Sequence, residues 1–224
     1  MPVRRDAEIE ISAFDWVPDF ARGLVRDLRV RWALEEAGLP YRERLLDARG
    51  VRPEDYLREQ PFGQVPTYRD DQVRMFESGA IVLHIAERCE ALMPTDPAGR
   101  ARTQTWVLAA LNTVETPIID LVVCNLFGKD QDWAEGFRPV VMERIRRCLG
   151  RLDAWLDGRD YLEDRFTAGD LMMTCVLHPL RSTDLVSEWP GLVAYKARCE
   201  SRPAYTAALD AQIAAFEARA LQTA

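Results

Sequence analysis

The chain has 224 residues, 48% hydrophobic and 29% charged, the balance of a soluble globular protein with room for one large core or two modest ones. Its formal net charge of -7 argues against the basic surface that neutralises phosphates, so no nucleic-acid partner is expected. No stretch approaches the roughly 20 uninterrupted apolar residues of a membrane span, and the first residues carry no apolar signal core. A cytoplasmic protein without a membrane partner is expected.

Five cysteines, Cys89, Cys124, Cys148, Cys175 and Cys199, are scattered and form no CxxC pair, and the two histidines, His84 and His178, lie far apart. Reduced thiols on helix faces are expected, and no metal.

In chain order, Glu8 to Phe14 alternates Ile9, Ile11 and Ala13 against polar neighbours, the period of a strand. Residues 20–37 read as a helix on the spacing of Val25, Leu28 and Trp32, stopped by Gly38 and Pro40. On such a helix Arg22, Arg26 and Arg29 form a basic stripe, either a solvated face or an electropositive site. Tyr41 to Leu46 is a second strand, and a strand, helix and strand in succession suggest a parallel pair. A short helix over 52–57 follows. Val65 to Arg69 and Val73 to Phe76 read as a hairpin, and Ser78 reads as the N-cap of a helix carrying Ile81, Val82, Ile85 and Cys89.

Pro94 and Pro97 prevent a helix from crossing the segment Leu92–Pro97, which reads as a linker. It separates a mixed α/β region, residues 1–92, from an all-helical region, residues 98–224. Helices are expected over 98–112, 117–125, 135–156, 170–180 and 191–201, with a tail from Pro203. Thr167 and Asp170 have the spacing of a capping box, a structural device rather than chemistry.

Four stretches together carry a family resemblance: Gln60-Pro61-Phe62-Gly63-Gln64-Val65-Pro66, Phe76-Glu77-Ser78-Gly79-Ala80-Ile81, Phe166-Thr167-Ala168-Gly169-Asp170, and Arg31 to Tyr41. In this order and spacing they resemble the cytosolic glutathione transferases, over nearly the whole chain. The resemblance implies a thioredoxin-like α/β N-terminal domain that binds glutathione as co-substrate, joined to an all-α C-terminal helical bundle that binds a small hydrophobic electrophile between the domains. It also implies a homodimer.

Pro66 has no N–H, so by itself it marks where a loop ends and a strand begins. The resemblance implies a cis Val65-Pro66 bond, with the Val65 backbone pairing to the cysteinyl part of glutathione in the manner of an added strand. Ser78, at a helix N-terminus, suits the γ-glutamyl carboxylate. The resemblance adds Glu77 for the amine, Gln64 for one end of the tripeptide and Arg52 for the glycyl carboxylate.

The sequence departs from the family after the first strand. The family places a Tyr, Ser or Cys there, whereas Asp15 to Gly23 holds neither hydroxyl nor thiol. Backbone N–H groups near Trp16, the Trp16 indole and Arg22 are the candidates to stabilise the thiolate, and Ser12 lies inside the strand. Two other uses remain open: a non-enzymatic binding or assembly protein on the same fold, and a glutathione-dependent peroxidase.

Overall fold

The structure is a computed structural model that describes residues 3–222. The chain divides into two compact units, Met1–Met93 together with Arg202–Ala224, and Pro94–Ser201.

The first unit is built on a four-stranded mixed sheet, β1 (Ile9–Phe14), β2 (Tyr41–Leu46), β3 (Thr67–Arg69) and β4 (Arg74–Phe76), in the order β2-β1-β3-β4. β1 runs parallel to β2, with Ile9 opposite Tyr41 and Phe14 opposite Leu46, and antiparallel to β3. As an inner strand it is buried on both faces: Ile11 and Ala13 on one, Ser12 on the other. α1 (Asp27–Ala37), α2 (Glu54–Glu59) and α3 (Ser78–Ala86) complete the α/β portion. α1 packs on β1 and α3, burying Val30, Trp32, Leu34, Ile81, Val82 and Ile85.

α1 stops where the sequence says it must. Gly38 adopts φ 63°, its N–H bonds the Glu35 carbonyl, and the Leu39 N–H reaches back to Leu34, the paired bonds of a Schellman end. It does not start where the periodicity suggests. Residues 19–21 form a single 3-10 turn, and Gly23 at φ 75° turns the chain before the helix begins at Asp27. The expected stripe of Arg22, Arg26 and Arg29 therefore does not exist on one helix face: Arg22 and Arg26 precede α1, and Arg29 is buried within it.

The C-terminal helix α9 (Pro203–Gln222) belongs to this first unit, although the sequence groups residues 202–224 with the helical region. Its inner face explains the difference. Ala208, Gln212, Ala215 and Phe216 are buried, and α9 packs along α1. Tyr205 tilts against Trp32 with ring centroids 4.9 Å apart, and Arg202 forks onto Glu36 at 2.6 and 2.7 Å.

The second unit is helical: α4 (Pro97–Ala109), α5 (Glu115–Leu126), α6 (Asp132–Leu156), α7 (Ala168–Leu177) and α8 (Pro190–Glu200). α4 and α5 are joined by a π turn, Ala110–Val114, so the helix continues where the sequence suggests a break. Pro117 accounts for the widened turn: it cannot donate to the Thr113 carbonyl four residues earlier, and Cys148 Sγ donates there instead at 3.7 Å. The run Pro97–Leu126 is long and apolar enough, by length and composition alone, to cross a membrane. It packs on α6 and α7 and contains the buried Glu115, as a core helix does.

α7 is buried all round and lies at the centre of this unit. Thr167 Oγ1 accepts from the Gly169 N–H, and Asp170 Oδ2 accepts from the Thr167 N–H at 2.9 Å, a reciprocal cap. Asp170 Oδ1 also takes the Leu162 N–H at 2.8 Å and the Tyr195 hydroxyl at 3.1 Å. Burial pushes the Asp170 carboxyl up to about 6 against those donors. Gly169 is required by close approach, since a Cβ there would meet the Trp106 Cβ at 2.6 Å. Trp106 leans on Trp155 and donates its indole N–H to Glu163, a packing role.

Candidate functional site

Three segments of the first unit carry the candidate residues: the loop from β1 to α1, the stretch from β2 through Thr67, and the turn into α3.

The β1–α1 loop leaves the sheet at Asp15, whose N–H donates to the Leu46 carbonyl at 3.0 Å. Val17 is buried and anchors it, and its far end is tied to α9 by the Gly23 N–H, which donates to Gln212 Oε1 at 3.1 Å. Trp16 is half-buried, and the Arg49 guanidinium lies 3.7 Å over its ring, a cation–π contact. Arg22 faces the exposed carboxylate of Asp19, Nε to Oδ1 3.2 Å.

Arg52 is committed to the backbone. Its Nε donates to the Gly63 carbonyl at 3.0 Å, Nη1 to Asp47 at 2.6 Å and Gly50 at 3.1 Å, and Nη2 to Ala48 at 3.3 Å, while the guanidinium covers the Phe14 ring. It clamps the 47–50 turn to Gly63, a different job from the carboxylate contact that the resemblance implies.

Beyond Gly63, the Gln64 side chain is exposed while its carbonyl accepts from the Tyr56 hydroxyl at 2.6 Å. The Val65-Pro66 bond is cis. Val65 itself is buried with Leu46 and Tyr56, with Phe14 and Val25 packed against them. The Thr67 N–H then donates to Ser12 Oγ at 2.7 Å. Ser12 is thus an interior residue, 1% exposed.

At the turn into α3, Glu77 is the cap residue and Ser78 the first helical one, a shift of one position from the sequence reading. Glu77 has φ 70° and ψ 110°, a backbone region disfavoured for a side-chain-bearing residue by about 1–3 kcal/mol and typical of functional sites. Its side chain is exposed and Ser78 is buried. Ser78 Oγ accepts from Arg29 Nη1 at 3.1 Å. That bond uses an oxygen lone pair and leaves the hydroxyl proton to donate elsewhere. A buried guanidinium beneath the first turn of a helix adds to the helix dipole and its free N–H groups, so this corner is built to hold an anion.

The structure therefore sets Gln64, Val65, Pro66, Glu77 and Ser78 around the ends of β3 and β4, whose first pair is Thr67 opposite Phe76. It gives Arg22 and Arg52 local partners. Sequence reading missed Arg29 under Ser78, Arg49 on Trp16, and Tyr56 beneath Gln64. Only Arg29 had left a signal, as a member of the supposed stripe; the other two contacts depend on turns that periodicity does not encode. The histidines are structural. His84 meets Asp70 and Arg88, and Tyr68 edge-on, while His178 bonds Glu200 at 2.9 Å. Among the described residues no group of His, Cys, Asp or Glu could hold a metal ion.

Comparison with known proteins places these features in context. The glutathione S-transferase N-terminal domain family matches residues 21–87 and the C-terminal domain family residues 125–203. Glutathione S-transferase 4 of Zea mays is 30% identical over 189 residues, covering 79% of this chain and 83% of that one. Human elongation factor 1-gamma is 31% identical over 130 residues, 56% of this chain but only 28% of that protein, so the chain spans less than a third of this longer relative. Among solved structures, the theta class glutathione S-transferase of Xanthomonas axonopodis pv. citri with glutathione bound superposes with a TM-score of 0.76 at 27% identity, over 91% of this chain and 97% of that one.

Proposed function

Because the chain belongs to the glutathione S-transferase family, we propose that it binds glutathione in its α/β unit and transfers it to small hydrophobic electrophiles. The observation that carries this reading is the donor set at the start of α3. Arg29 charges the Ser78 hydroxyl from below, and the hydroxyl proton and the first free N–H groups of α3 meet the γ-glutamyl carboxylate. Exposed Glu77 meets the amine, and the Val65 backbone, with Gln64 and Pro66 on either side, pairs with the cysteinyl unit. Arg52 positions Gly63 and hence Gln64, and Arg49 on Trp16 supplies a cation for the glycyl carboxylate.

In the transfer step the thiol gives its proton to solvent. The thiolate lone pair forms the new carbon–sulfur bond, and the leaving group departs with the electrons of the bond that breaks. The protein's part is to lower the thiol pKa and to hold both reactants close. The donors for the sulfur are backbone N–H groups near Trp16, its indole N–H, and Arg22. The same site would serve a glutathione-dependent peroxidase.

A second reading, glutathione binding or assembly without catalysis, is favoured by one observation: the loop Asp15 to Gly23 has no hydroxyl or thiol. Similarity to elongation factor 1-gamma agrees with it. In either reading the protein is a cytoplasmic homodimer, and light scattering at micromolar concentration should give twice the 25.6 kDa chain mass.

Titration calorimetry with glutathione, followed by a conjugation assay with an activated aryl halide, separates the readings. Binding with turnover supports the transferase, and binding without turnover supports the second reading. No heat at millimolar glutathione overturns the transferase and the glutathione-binding reading and leaves the assembly role alone standing.

A further inference from the structure

Ser12, Tyr56 and Thr67 form a buried chain of hydrogen bonds whose direction can be worked out atom by atom. The Gln64 carbonyl can only accept, so the Tyr56 hydroxyl proton points to it at 2.6 Å. Tyr56 Oη, 2.8 Å from Ser12 Oγ, must then accept the Ser12 proton. With its own proton committed, Ser12 Oγ accepts twice: from the Thr67 N–H at 2.7 Å and from Thr67 Oγ1 at 3.0 Å. The order is Thr67 N–H to Ser12, Ser12 to Tyr56, and Tyr56 to the Gln64 carbonyl, each link polarising the next. Ser12 is 1% exposed and Tyr56 0%, so nothing in water replaces a lost link.

The two ends of this chain are the residues immediately before and after the dipeptide Val65-Pro66. Residue 64 is held by its carbonyl and residue 67 by its N–H. Both are held by side chains from other elements, Tyr56 on α2 and Ser12 on the inner strand β1. The Tyr56 ring also packs with Val65 and Leu46, and the Arg44 guanidinium lies 5.3 Å from its centre. Thr67 opens β3 opposite Phe76, whose successors are Glu77 and Ser78. One buried pair thereby sets the Val65 main chain and ties it, through one strand pair, to the anion corner.

We propose that Ser12 and Tyr56 are the positioning residues that aim the Val65 backbone at the cysteinyl amide of glutathione. This rests on the transferase-family reading of the same site. Neither residue touches the tripeptide. Each acts by fixing the peptide groups on either side of Val65, so a hydroxyl deletion loosens main-chain recognition while leaving the Ser78 corner intact.

The test is a binding cycle between protein and ligand. Glutathione and its analogue methylated on the cysteinyl amide nitrogen, which lacks that N–H donor, are titrated into wild type, Tyr56→Phe and Ser12→Ala, with thermal melts confirming that each variant is folded. Wild type should lose roughly tenfold in affinity for the methylated analogue, the size of one hydrogen bond. Tyr56→Phe should bind glutathione about tenfold more weakly and show less than about a threefold methylation penalty, because the lost contact is the same one. Ser12→Ala, should Tyr56→Phe be unstable, should show the same reduced penalty. Tyr56→Phe with the full tenfold penalty, or with wild-type affinity for glutathione, overturns the positioning role and leaves the proposed function standing. Wild type that does not bind glutathione overturns both.

Discussion

Gln212 and Asp27 lie 185 residues apart in sequence and are joined by a buried hydrogen bond of 2.7 Å, Nε2 to Oδ1. The same amide donates to the Val25 carbonyl at 3.2 Å and accepts the Gly23 N–H at 3.1 Å. One side chain on α9 thus closes the end of the β1–α1 loop. Asp27 also takes Arg31 Nε at 2.7 Å, and Arg31, fully buried, reaches on to Glu43. Burial pushes the Asp27 carboxyl up, and Arg31 pulls it back. A buried charge in such a network depends on every partner.

Gln212→Ala leaves the Gly23 N–H unmet and removes a donor from Asp27, so it should destabilise the protein by about 2–4 kcal/mol. Gln212→Glu should be worse at neutral pH, because it sets a second carboxylate against Asp27 inside the fold, and should recover as pH falls. Urea titrations of both variants provide the check. A shift within about 0.5 kcal/mol for Gln212→Ala would mean that α9 is held by its apolar face alone.

Asp170 gives a pH signature. Its folded value is about 6, well above the ordinary range of an aspartate carboxyl near 3.8, so the folded state holds the proton more tightly. The contribution is fully present below about pH 4 and is lost as pH rises through 6, amounting to about 3 kcal/mol at roughly 1.4 kcal/mol per unit. Asp170→Asn cannot titrate and places an NH2 among donors, so it should be less stable at every pH. The gap from wild type should narrow by up to that amount between pH 4 and pH 7. A gap that does not change with pH would show that Asp170 does not titrate in this range.

Ser78→Ala removes a hydrogen bond to a charged group, worth about 1.5–3 kcal/mol, and should weaken glutathione binding tenfold or more. Arg29→Met should weaken it too, because the guanidinium both charges the corner and orients the Ser78 hydroxyl. The double variant should lose less than the product of the single effects, with a coupling above about 0.5 kcal/mol. Fully additive losses, measured by calorimetry, would separate the two residues and remove Arg29 from the site.

What the sequence made legible is local. The glycine stop at Gly38, the hairpin turn after Arg69 and the Thr167–Asp170 cap are set by neighbours within a few residues, and sequence and structure agree there. The start of α1 was not legible, because the apolar spacing of Val25, Leu28 and Trp32 does not mark where the helix begins and says nothing of the positive φ at Gly23. Contacts across long separations were equally hidden. Arg29 meets Ser78 across 49 residues and Tyr56 meets Ser12 across 44, and such pairs are settled by strand order rather than by pattern. The site's motifs could be named from their spacing, but what holds those motifs in place could not.

The last expectation concerns the sulfur. A free thiol titrates at about 8.5, and lowering that by two units takes about 2.7 kcal/mol of preference for the anion. Ser12 cannot supply it, since its proton is committed to Tyr56 in the interior. Arg22 is partly neutralised by Asp19 at 3.2 Å. Trp16 retains an indole N–H and carries the Arg49 cation on its ring. A neutral hydrogen bond contributes about 0.5–1.5 kcal/mol, so Trp16→Phe should raise the bound thiol's pKa by up to about one unit. Arg22→Ala should raise it by less, and Ser12→Ala should leave it in place while weakening affinity. Ultraviolet titration of bound glutathione near the thiolate band at about 240 nm reads all three. If Ser12→Ala abolishes the shift and Trp16→Phe does not, the strand serine carries the chemistry and its proton is not committed to Tyr56 when glutathione is bound. If the wild-type thiol titrates at its free value, the loop offers no activation, and any turnover rests on holding the two reactants together.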